Sequence, residues 1–246
     1  MSEDESVLER SAAPPDAVVA WGDGPDQVAD VRHGGERAAR RPLLAIVHGG
    51  FWRPRYDRTH TGPMAEALAA AGWHVASLEY RRIPGTPGAS VADVATALAA
   101  LPAMIGGHAG EVVAIGHSAG GHLVLLAATK PPPRLRGVLA LAPVADLRLA
   151  QTLNLGDGAV AAFLGADAAA RSDLDPRRLA DPVVATAIVH GEEDETVPLA
   201  VAQSYLAAHA QVSLEALPGC GHYEVIDPLS RAWPRVAAAI ERLGAG

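Results

Sequence analysis

The chain has 246 residues, of which 49% are hydrophobic and 20% charged, and its formal net charge is −8 at pH 7. This length and apolar content fit a single α/β domain with a sizeable core and exclude wholesale disorder. The negative charge argues against a nucleic-acid partner, because proteins that bind nucleic acids need a cluster of basic residues on one face.

The first predicted elements form an arm and a hairpin. Residues 1–16 carry charge, serine and two prolines, and they are expected to be a loose N-terminal arm before a single domain over 17–246. Two short β-like runs, 17–21 and 27–33, flank a glycine-rich turn. They predict an opening hairpin.

Strands and helices then alternate along the chain. Aliphatic runs predict strands, and apolar residues at helical spacing predict helices. In chain order the prediction is strand 43–47, helix 63–71, strand 74–79, helix from 90 or 91 to 101, strand 111–115, turn 116–120, helix 121–129, strand 135–141, strand 183–190, helix 199–209, strand 212–217 and helix 228–243.

This alternation is typical of an α/β fold with a mainly parallel central sheet and helices on both faces. Ligands bind such sheets outside the carboxyl ends of the strands. The longest break in the alternation is 146–181, which holds a short predicted helix at 159–164. We expect any small cap over the site to come from this segment.

A serine motif lies at one of these strand ends. Gly116-His117-Ser118-Ala119-Gly120 matches Gly-x-Ser-x-Gly, a pattern that a glycine-rich chain also produces by chance. Here it follows a predicted strand and opens a predicted helix, the setting of a nucleophile elbow. Flanking glycines avoid clashes around a serine with a strained backbone. Ser118 is therefore the candidate nucleophile, and a bystander serine in an ordinary turn is the alternative.

A second motif, His48-Gly49-Gly50-Phe51-Trp52, follows the predicted strand 43–47. Two successive glycines leave their backbone N–H groups free to point into a cavity. With the amide of Ala119, those of Gly49 and Gly50 would form an oxyanion hole. Alone, the segment is more simply a turn after a strand, and the nearby serine motif favours the catalytic interpretation.

The candidate acid comes from a run of four carboxylates after the predicted strand 183–190, namely Glu192, Glu193, Asp194 and Glu195. Such a run is usually a solvated face. An acid that orients a catalytic base must instead point inward and accept hydrogen bonds. Asp194 lies in the middle of the turn, just before Val197-Pro198, and is the one selected.

The candidate base is His222, on the loop after the predicted strand 212–217. The chain has ten histidines, and His222 is selected because the order Ser118, Asp194, His222 is the one described for the α/β-hydrolase fold.

Cys220 on the same loop lacks an elbow, and we expect it to be a packing thiol. Three histidines are expected to pack near the serine (His117, His122, His190), and five to be incidental (His33, His60, His74, His108, His209).

On these motifs the chain resembles the α/β-hydrolase superfamily over about residues 17–243. Segments 48–52 and 116–122 are similar to the small esterase and kynurenine formamidase (arylformamidase) group, as is Glu79-Tyr80-Arg81-Arg82 followed by a glycine-rich loop and Asp93-Val94. The resemblance implies a catalytic triad and an oxyanion hole, formed respectively by Ser118, Asp194 and His222 and by the amides of Gly49, Gly50 and Ala119.

The expected reaction is hydrolysis of a small carboxylic ester through a serine acyl-enzyme, with hydrolysis of an N-formyl amide as the alternative. Acyl transfer and a non-catalytic ligand-binding module on the same fold are the other interpretations. Phe51, Trp52 and Tyr223 are expected to line an aromatic pocket for the small-molecule substrate, or else to belong to the core. No metal-ligand spacing or Rossmann fingerprint accompanies the motifs, so no cofactor or metal is expected.

Three features bear on the compartment. Cys220 is the only cysteine, so no intramolecular disulfide can form and a reducing compartment is permitted. The opening MSEDESVLER is acidic and polar, unlike a secretory signal. No apolar run approaches the about 20 residues that span a bilayer. We therefore expect a cytoplasmic protein without a membrane partner.

Overall fold

The computed structural model describes residues 3–245, so residues 1, 2 and 246, at the ends of the expected arm and domain, lie outside the described part. The described strands are β1 (Ala17–Ala20), β2 (Val28–Arg32), β3 (Leu43–Val47), β4 (Val75–Leu78), β5 (Val112–His117), β6 (Leu135–Leu141), β7 (Ala185–Gly191) and β8 (Ser213–Leu217). The described α-helices are α1 (Ser6–Glu9), α2 (Gly62–Ala70), α3 (Pro87–Met104), α4 (Ala119–Thr129), α5 (Leu147–Thr152), α6 (Ala159–Leu164), α7 (Ala200–Leu206) and α8 (Trp233–Ala245).

All these strands form one sheet in the order β1-β2-β4-β3-β5-β6-β7-β8. β1 and β2 are the predicted antiparallel hairpin, and β2 also runs antiparallel to β4. Every other neighbouring pair is parallel. The prediction of a mainly parallel sheet is therefore confirmed, and the carboxyl ends of β3 to β8 share one edge.

Helices cover both faces of the sheet, as the alternation predicted. In β3, Leu43, Ala45 and Val47 join one apolar cluster with α3, α4 and α7. Leu44 and Ile46 point the other way and join a second cluster with α2 and α8. Because both faces of the central strands are buried, their sequences are continuously aliphatic rather than alternating.

Three helices differ from the prediction by three or more residues at an end. α7 ends at Leu206 rather than 209, where the chain continues in a turn closed by a 3.0 Å bond from the Ala208 N–H to the Tyr205 carbonyl. α3 starts at Pro87 rather than 90 or 91, because proline at the start of a helix sacrifices no hydrogen bond. It also runs through Pro102, which falls in the last turns, where one lost hydrogen bond does not end the helix. α8 starts at Trp233 rather than 228, because Asp227 to Ser230 form a turn closed by a 3.0 Å backbone hydrogen bond.

α3 is the one described helix that is long and apolar enough to cross a membrane by length and composition alone. With 18 residues it is longer than the helix predicted from 90 or 91 to 101. In the fold, however, this helix packs against α4, β3, β4 and β5. Its apolar face is therefore part of the layer that covers the sheet.

The first described residues are packed, which corrects the expectation of a loose arm over residues 1–16. Val7 of α1 is 1% exposed and belongs to the cluster with α2 and α8. Arg10 forms an ion pair with Asp227, and the Ala13 carbonyl accepts a hydrogen bond from Arg32. An apolar anchor and two polar ones thus hold this segment, residues 3–16, which we call the strap.

The segment 146–181 forms α5, α6 and three short 3₁₀ turns. The helix predicted at 159–164 is α6. Phe163 of α6 stacks on Trp52, with ring centroids 4.4 Å apart. The segment therefore supports the connection between β3 and α2 from the side of the core.

Candidate active site

Ser118 lies on the turn between β5 and α4, with φ of 54° and ψ of −116°. A non-glycine residue in this region stores ~1–3 kcal/mol of strain, which its surroundings must hold. A Cβ on Gly116 would collide with the Gly120 carbonyl oxygen, and one on Gly120 would collide with the Val47 carbonyl oxygen. The two glycines therefore let α4 start directly against β3 and β5, with Ser118 at the apex of the turn.

Asp194 and His222 meet at the ends of β7 and β8. His222 Nδ1 lies 2.7 Å from Asp194 Oδ2. The other carboxylate oxygen accepts a hydrogen bond of 2.6 Å from the backbone N–H of Val197, and His190 Nε2 lies 3.1 Å from Oδ2. Asp194 is buried, whereas the other three acids of the run are exposed (Glu192, Glu193, Glu195).

The electrostatics of this pair follow from its surroundings. Burial alone would raise the pKa of Asp194, but the charge on His222 and the hydrogen bonds from His190 and His222 hold that pKa well below its ordinary value of 3.8. Asp194 is therefore ionised at neutral pH. A carboxylate bonded to Nδ1 keeps a proton on that nitrogen and leaves Nε2 able to accept one.

Ser118 and His222 line the same cavity, which has a volume of about 580 Å³. Gly50 and Phe51, from the connection between β3 and α2, also line it, and so does Tyr223 beside His222. Ser118 is 2% and His222 1% exposed, so a ligand reaches them through this cavity. The structure thus brings together the predicted nucleophile, the predicted base and two of the three predicted pocket residues.

Trp52 does not line this cavity, contrary to the pocket expectation. Its indole is 3% exposed, stacks on Phe163 and meets His122 edge-on, with centroids 5.1 Å apart. The reason is local backbone geometry, because Phe51 and Trp52 both have positive φ values, 51° and 54°. Two successive left-handed residues send Phe51 to the cavity and Trp52 to the core.

The three predicted oxyanion-hole positions lie around Ser118. A Cβ on Gly49 would be 3.0 Å from Ser118 Cβ, so the two backbones are in close approach. Gly50 lines the cavity and has a φ of 106°, which favours glycine. Ala119 is the first residue of α4, so its N–H has no partner within the helix.

A buried polar cluster that sequence reasoning did not assign to the site supports this turn. His48 Nε2 lies 3.0 Å from Glu79 Oε1, and His48 Nδ1 lies 2.7 Å from the Gly49 carbonyl oxygen. Tyr80 Oη donates a 3.0 Å hydrogen bond to the His48 carbonyl, and Arg82 forms an ion pair with Glu79. Burial would raise the pKa of Glu79, but His48 and Arg82 lower it to about 2. In the sequence, the segment 79–82 contributed to the family resemblance but was not predicted to contact the turn at Gly49 and Gly50.

His60 was expected to be incidental, but it lines the cavity. Its ring centroid lies 5.7 Å from that of His48. Burial, followed by the nearby charge of His48, lowers the pKa of His60 to about 4, so its imidazole is neutral at pH 7. It belongs to a short 3₁₀ turn, Arg58–Thr61, between β3 and α2, where no periodicity or motif in the sequence marks it.

The cavity is covered by the strap rather than by the segment 146–181, which corrects the expected source of a cap. Leu8, Glu9, Arg10 and Ser11 line the cavity, and within residues 3–245 none of its lining residues comes from 146–181. The segment packs against Trp52 and, through Gly156, against Phe51 and Arg53, so it supports the cavity wall from outside without lining the cavity. The strap is in place because Val7 and the Arg10–Asp227 pair anchor it.

Other histidines and the cysteine have supporting positions. His117 Nε2 lies 3.0 Å from the His222 carbonyl oxygen, and His122 Nε2 lies 2.8 Å from the Leu174 carbonyl oxygen. Cys220 is buried, and burial raises the pKa of its thiol. Within residues 3–245 no group of three or more His, Cys, Asp or Glu side chains is arranged to hold a metal ion.

The chain is similar in sequence to known proteins, among them an esterase. A family model described as BD-FAE matches residues 30–209. Esterase LipC of Mycobacterium tuberculosis is 26% identical over 250 aligned positions, which cover 85% of this chain and 60% of LipC. The chain thus spans about three-fifths of the length of this relative.

Solved structures of low sequence identity share the fold. A truncated carbohydrate esterase from gut microbiota superposes with a TM-score of 0.77 at 16% identity, covering 95% of this chain and 99% of the other. Esterase B from Lactobacillus rhamnosis superposes with a TM-score of 0.74 at 20% identity, covering 97% of this chain and 88% of the other. These superpositions confirm the predicted α/β-hydrolase fold.

Proposed function

The chain belongs to the BD-FAE family, and from that premise we propose that it is a serine carboxylesterase that cleaves small carboxylic esters. The observation that carries the proposal is the 2.7 Å contact between His222 Nδ1 and Asp194 Oδ2, beside a cavity that both His222 and Ser118 line. The names of LipC and esterase B, both esterases, support an ester rather than an amide as the substrate.

In the proposed reaction, Ser118 Oγ attacks the carbonyl carbon of the ester while His222 Nε2 takes the hydroxyl proton. The ionised Asp194 stabilises the imidazolium that forms. Collapse of the tetrahedral intermediate releases the alcohol, which takes the proton from His222, and leaves the acyl group on Ser118. His222 then deprotonates a water molecule that hydrolyses the acyl-enzyme.

The negative charge that develops on the carbonyl oxygen needs donors in fixed positions. In the proposal these are the backbone N–H groups of Gly49, Gly50 and Ala119. Each such donor is worth about 3 kcal/mol in the transition state. The free amide of Ala119 at the start of α4 and the close approach of Gly49 to Ser118 support this assignment.

The cavity supports a small substrate. Its volume of about 580 Å³ lies within the range of sites for small molecules. Phe51 and Tyr223 supply aromatic surface, and Arg53 and Tyr56 add polar groups. We therefore expect a substrate with a short acyl chain or a single ring.

A fluorophosphonate probe tests the nucleophile, because it reacts covalently with an activated serine. Wild-type protein should be labelled, Ser118→Ala should not, and the exposed Ser172→Ala should be labelled like wild type. Folded wild-type protein that takes no label would contradict the proposal and favour a ligand-binding module on the same fold.

A substrate comparison tests the reaction class. We expect kcat/KM for p-nitrophenyl butyrate to exceed that for N-formylkynurenine by more than about a hundredfold, which corresponds to ~2.7 kcal/mol in transition-state binding. A preference of that size in the other direction would make the protein a formamidase. Product analysis with a competing alcohol separates hydrolysis from acyl transfer.

A further inference from the structure

The side chain of Glu3 connects the two loops that carry Asp194 and His222. Its Oε1 accepts hydrogen bonds from the backbone N–H groups of Glu195 (2.7 Å) and His222 (3.1 Å). Its Oε2 accepts one from the Thr196 hydroxyl at 2.6 Å. These partners lie 192, 193 and 219 positions away in the sequence. One carboxylate therefore spans from the residues after Asp194 to the backbone of His222 itself.

The other hydrogen bonds between these two loops lie closer to the sheet or involve the His222 ring. Backbone hydrogen bonds of 3.0 Å join Glu192 to Leu217 and Glu193 to Cys220, so the loops are also tied where they leave the sheet. Beyond that level, His222 is held to the other loop by its own ring bond to Asp194. Glu3 adds a bond to the His222 N–H, while His117 Nε2 lies 3.0 Å from the His222 carbonyl oxygen on the side of β5.

The rest of the strap keeps Glu3 in place. Val7 is buried in the cluster with α2 and α8, and Arg10 pairs with Asp227. At the other end of the strap, Asp16 donates a 2.9 Å hydrogen bond to the Val31 carbonyl of β2. The strap thus runs from the hairpin, along the cavity, to the loops at the ends of β7 and β8.

We propose that Glu3 is a positioning residue for the hydrolytic reaction. It holds the backbone of His222 at a fixed position relative to the loop that carries Asp194. Hydrogen bonds from N–H and O–H groups to an ionised carboxylate are short and strong. Proton transfer between Ser118 and His222 requires their separation to be held within fractions of an ångström. Glu3 touches neither the substrate nor the reacting atoms, so it acts through His222.

The kinetic part of this inference rests on the proposed function, and two variants test it. Glu3→Ala removes all three contacts, and we expect kcat for p-nitrophenyl butyrate to fall about tenfold while KM stays within about twofold. Glu3→Gln keeps an oxygen for the two amides, so its kcat should stay within about threefold of wild type. Glu5→Ala removes an exposed carboxylate from the same strap and serves as the matched control.

Hydrogen exchange supplies a readout that needs no activity. In Glu3→Ala the amides of residues 195 and 222 should exchange at least about tenfold faster, because their acceptor is gone, while amides in β5 keep their wild-type rates. Glu3→Gln and Glu5→Ala should exchange like wild type. A contact that only stabilises the fold would lower Tm and speed exchange at these two positions without changing kcat.

The outcomes separate the two proposals. Folded Glu3→Ala with wild-type kcat, or with wild-type exchange at residues 195 and 222, overturns the role of Glu3. A wild-type protein without esterase activity refutes the proposed function and the kinetic role together, and the exchange result still decides whether the bridge exists. If Glu3→Ala fails to fold, Thr196→Val removes one of the three donors, and unchanged kcat and exchange in that variant overturn the inference.

Discussion

His48 and Glu79 form a buried pair behind the cavity, with Nε2 3.0 Å from Oε1 and side-chain exposures of 0% and 3%. The Glu79 carboxylate also accepts backbone hydrogen bonds of 3.1 Å from Arg58 and from Tyr80. These partners come from the segments that follow β3 and β4 and from the connection to α2. One buried carboxylate therefore fixes the turn that contains Gly49 and Gly50.

Glu79→Gln tests how much this cluster contributes to stability. The substitution puts an amide NH₂ next to Arg82, whose ion pair with Glu79 is lost, while Arg58 keeps its 2.8 Å ion pair with Asp30. We expect the free energy of unfolding, measured in urea at pH 7, to fall by about 3 kcal/mol. The exposed Glu66→Gln should change it by less than about 0.5 kcal/mol. Equal stabilities for the two variants would contradict the assigned role of the cluster.

Asp194→Asn tests the orientation of the base. An asparagine NH₂ facing Nδ1 would favour the tautomer with its proton on Nε2, and that nitrogen could no longer take the serine proton. We expect kcat to fall by about 10⁴-fold with Tm near that of wild type. Glu193→Gln, an exposed neighbour, should leave kcat within about twofold. If Glu193→Gln is the variant that abolishes activity, the acid has been assigned to the wrong residue.

His122 predicts how stability depends on pH. Burial lowers the pKa of His122 from 6.5 to about 4. Above pH 6.5 both states are neutral and stability is unaffected. As pH falls from 6.5 to 4, the unfolded state takes up a proton that the folded state refuses, so stability is lost in that window. From pH 7 to pH 5 we expect this loss to be about 1–2 kcal/mol smaller in His122→Gln than in wild type.

Urea unfolding at several pH values measures this effect, and the range from pH 7 to pH 8 serves as the internal control. There wild type and His122→Gln should change in parallel, whatever the absolute cost of the substitution. Identical losses between pH 7 and pH 5 would mean that His122 is protonated in the folded protein.

Gly120 and Gly88 differ in the space available for an added methyl group. A Cβ on Gly120 would collide with the backbone of Val47 at the end of β3, which cannot move without disturbing the sheet. Gly120→Ala should therefore lose more than about 4 kcal/mol or fail to fold. Gly88 lies in α3 with nothing within 4 Å of an added Cβ. Gly88→Ala should stabilise the protein by about 0.5–1 kcal/mol, measured by thermal unfolding.

The sequence by itself determined the sheet, its covering helices and the turn that carries Ser118. These features depend on local patterns, because a strand buried on both faces must be aliphatic and a serine turn against a sheet needs glycines at fixed spacing. Where the prediction missed the end of α3 and the start of α8, a proline did not have its predicted effect, because Pro102 lies within α3 without ending it and Pro228 lies in a turn before α8 rather than at its start. The order of Ser118, Asp194 and His222 along the chain is also a property of sequence.

Only the tertiary structure decided where individual side chains point. Phe51 faces the cavity and Trp52 the core because of two successive positive φ values, which residue types do not reveal. Asp194 is buried among exposed acids because His222, from a different strand end, supplies its partner. The position of the strap over the cavity depends on contacts across nearly the whole chain length, such as that of Glu3 with His222, 219 positions apart. Local patterns carry no information about such contacts, since they form only when the sheet brings distant loops to one edge.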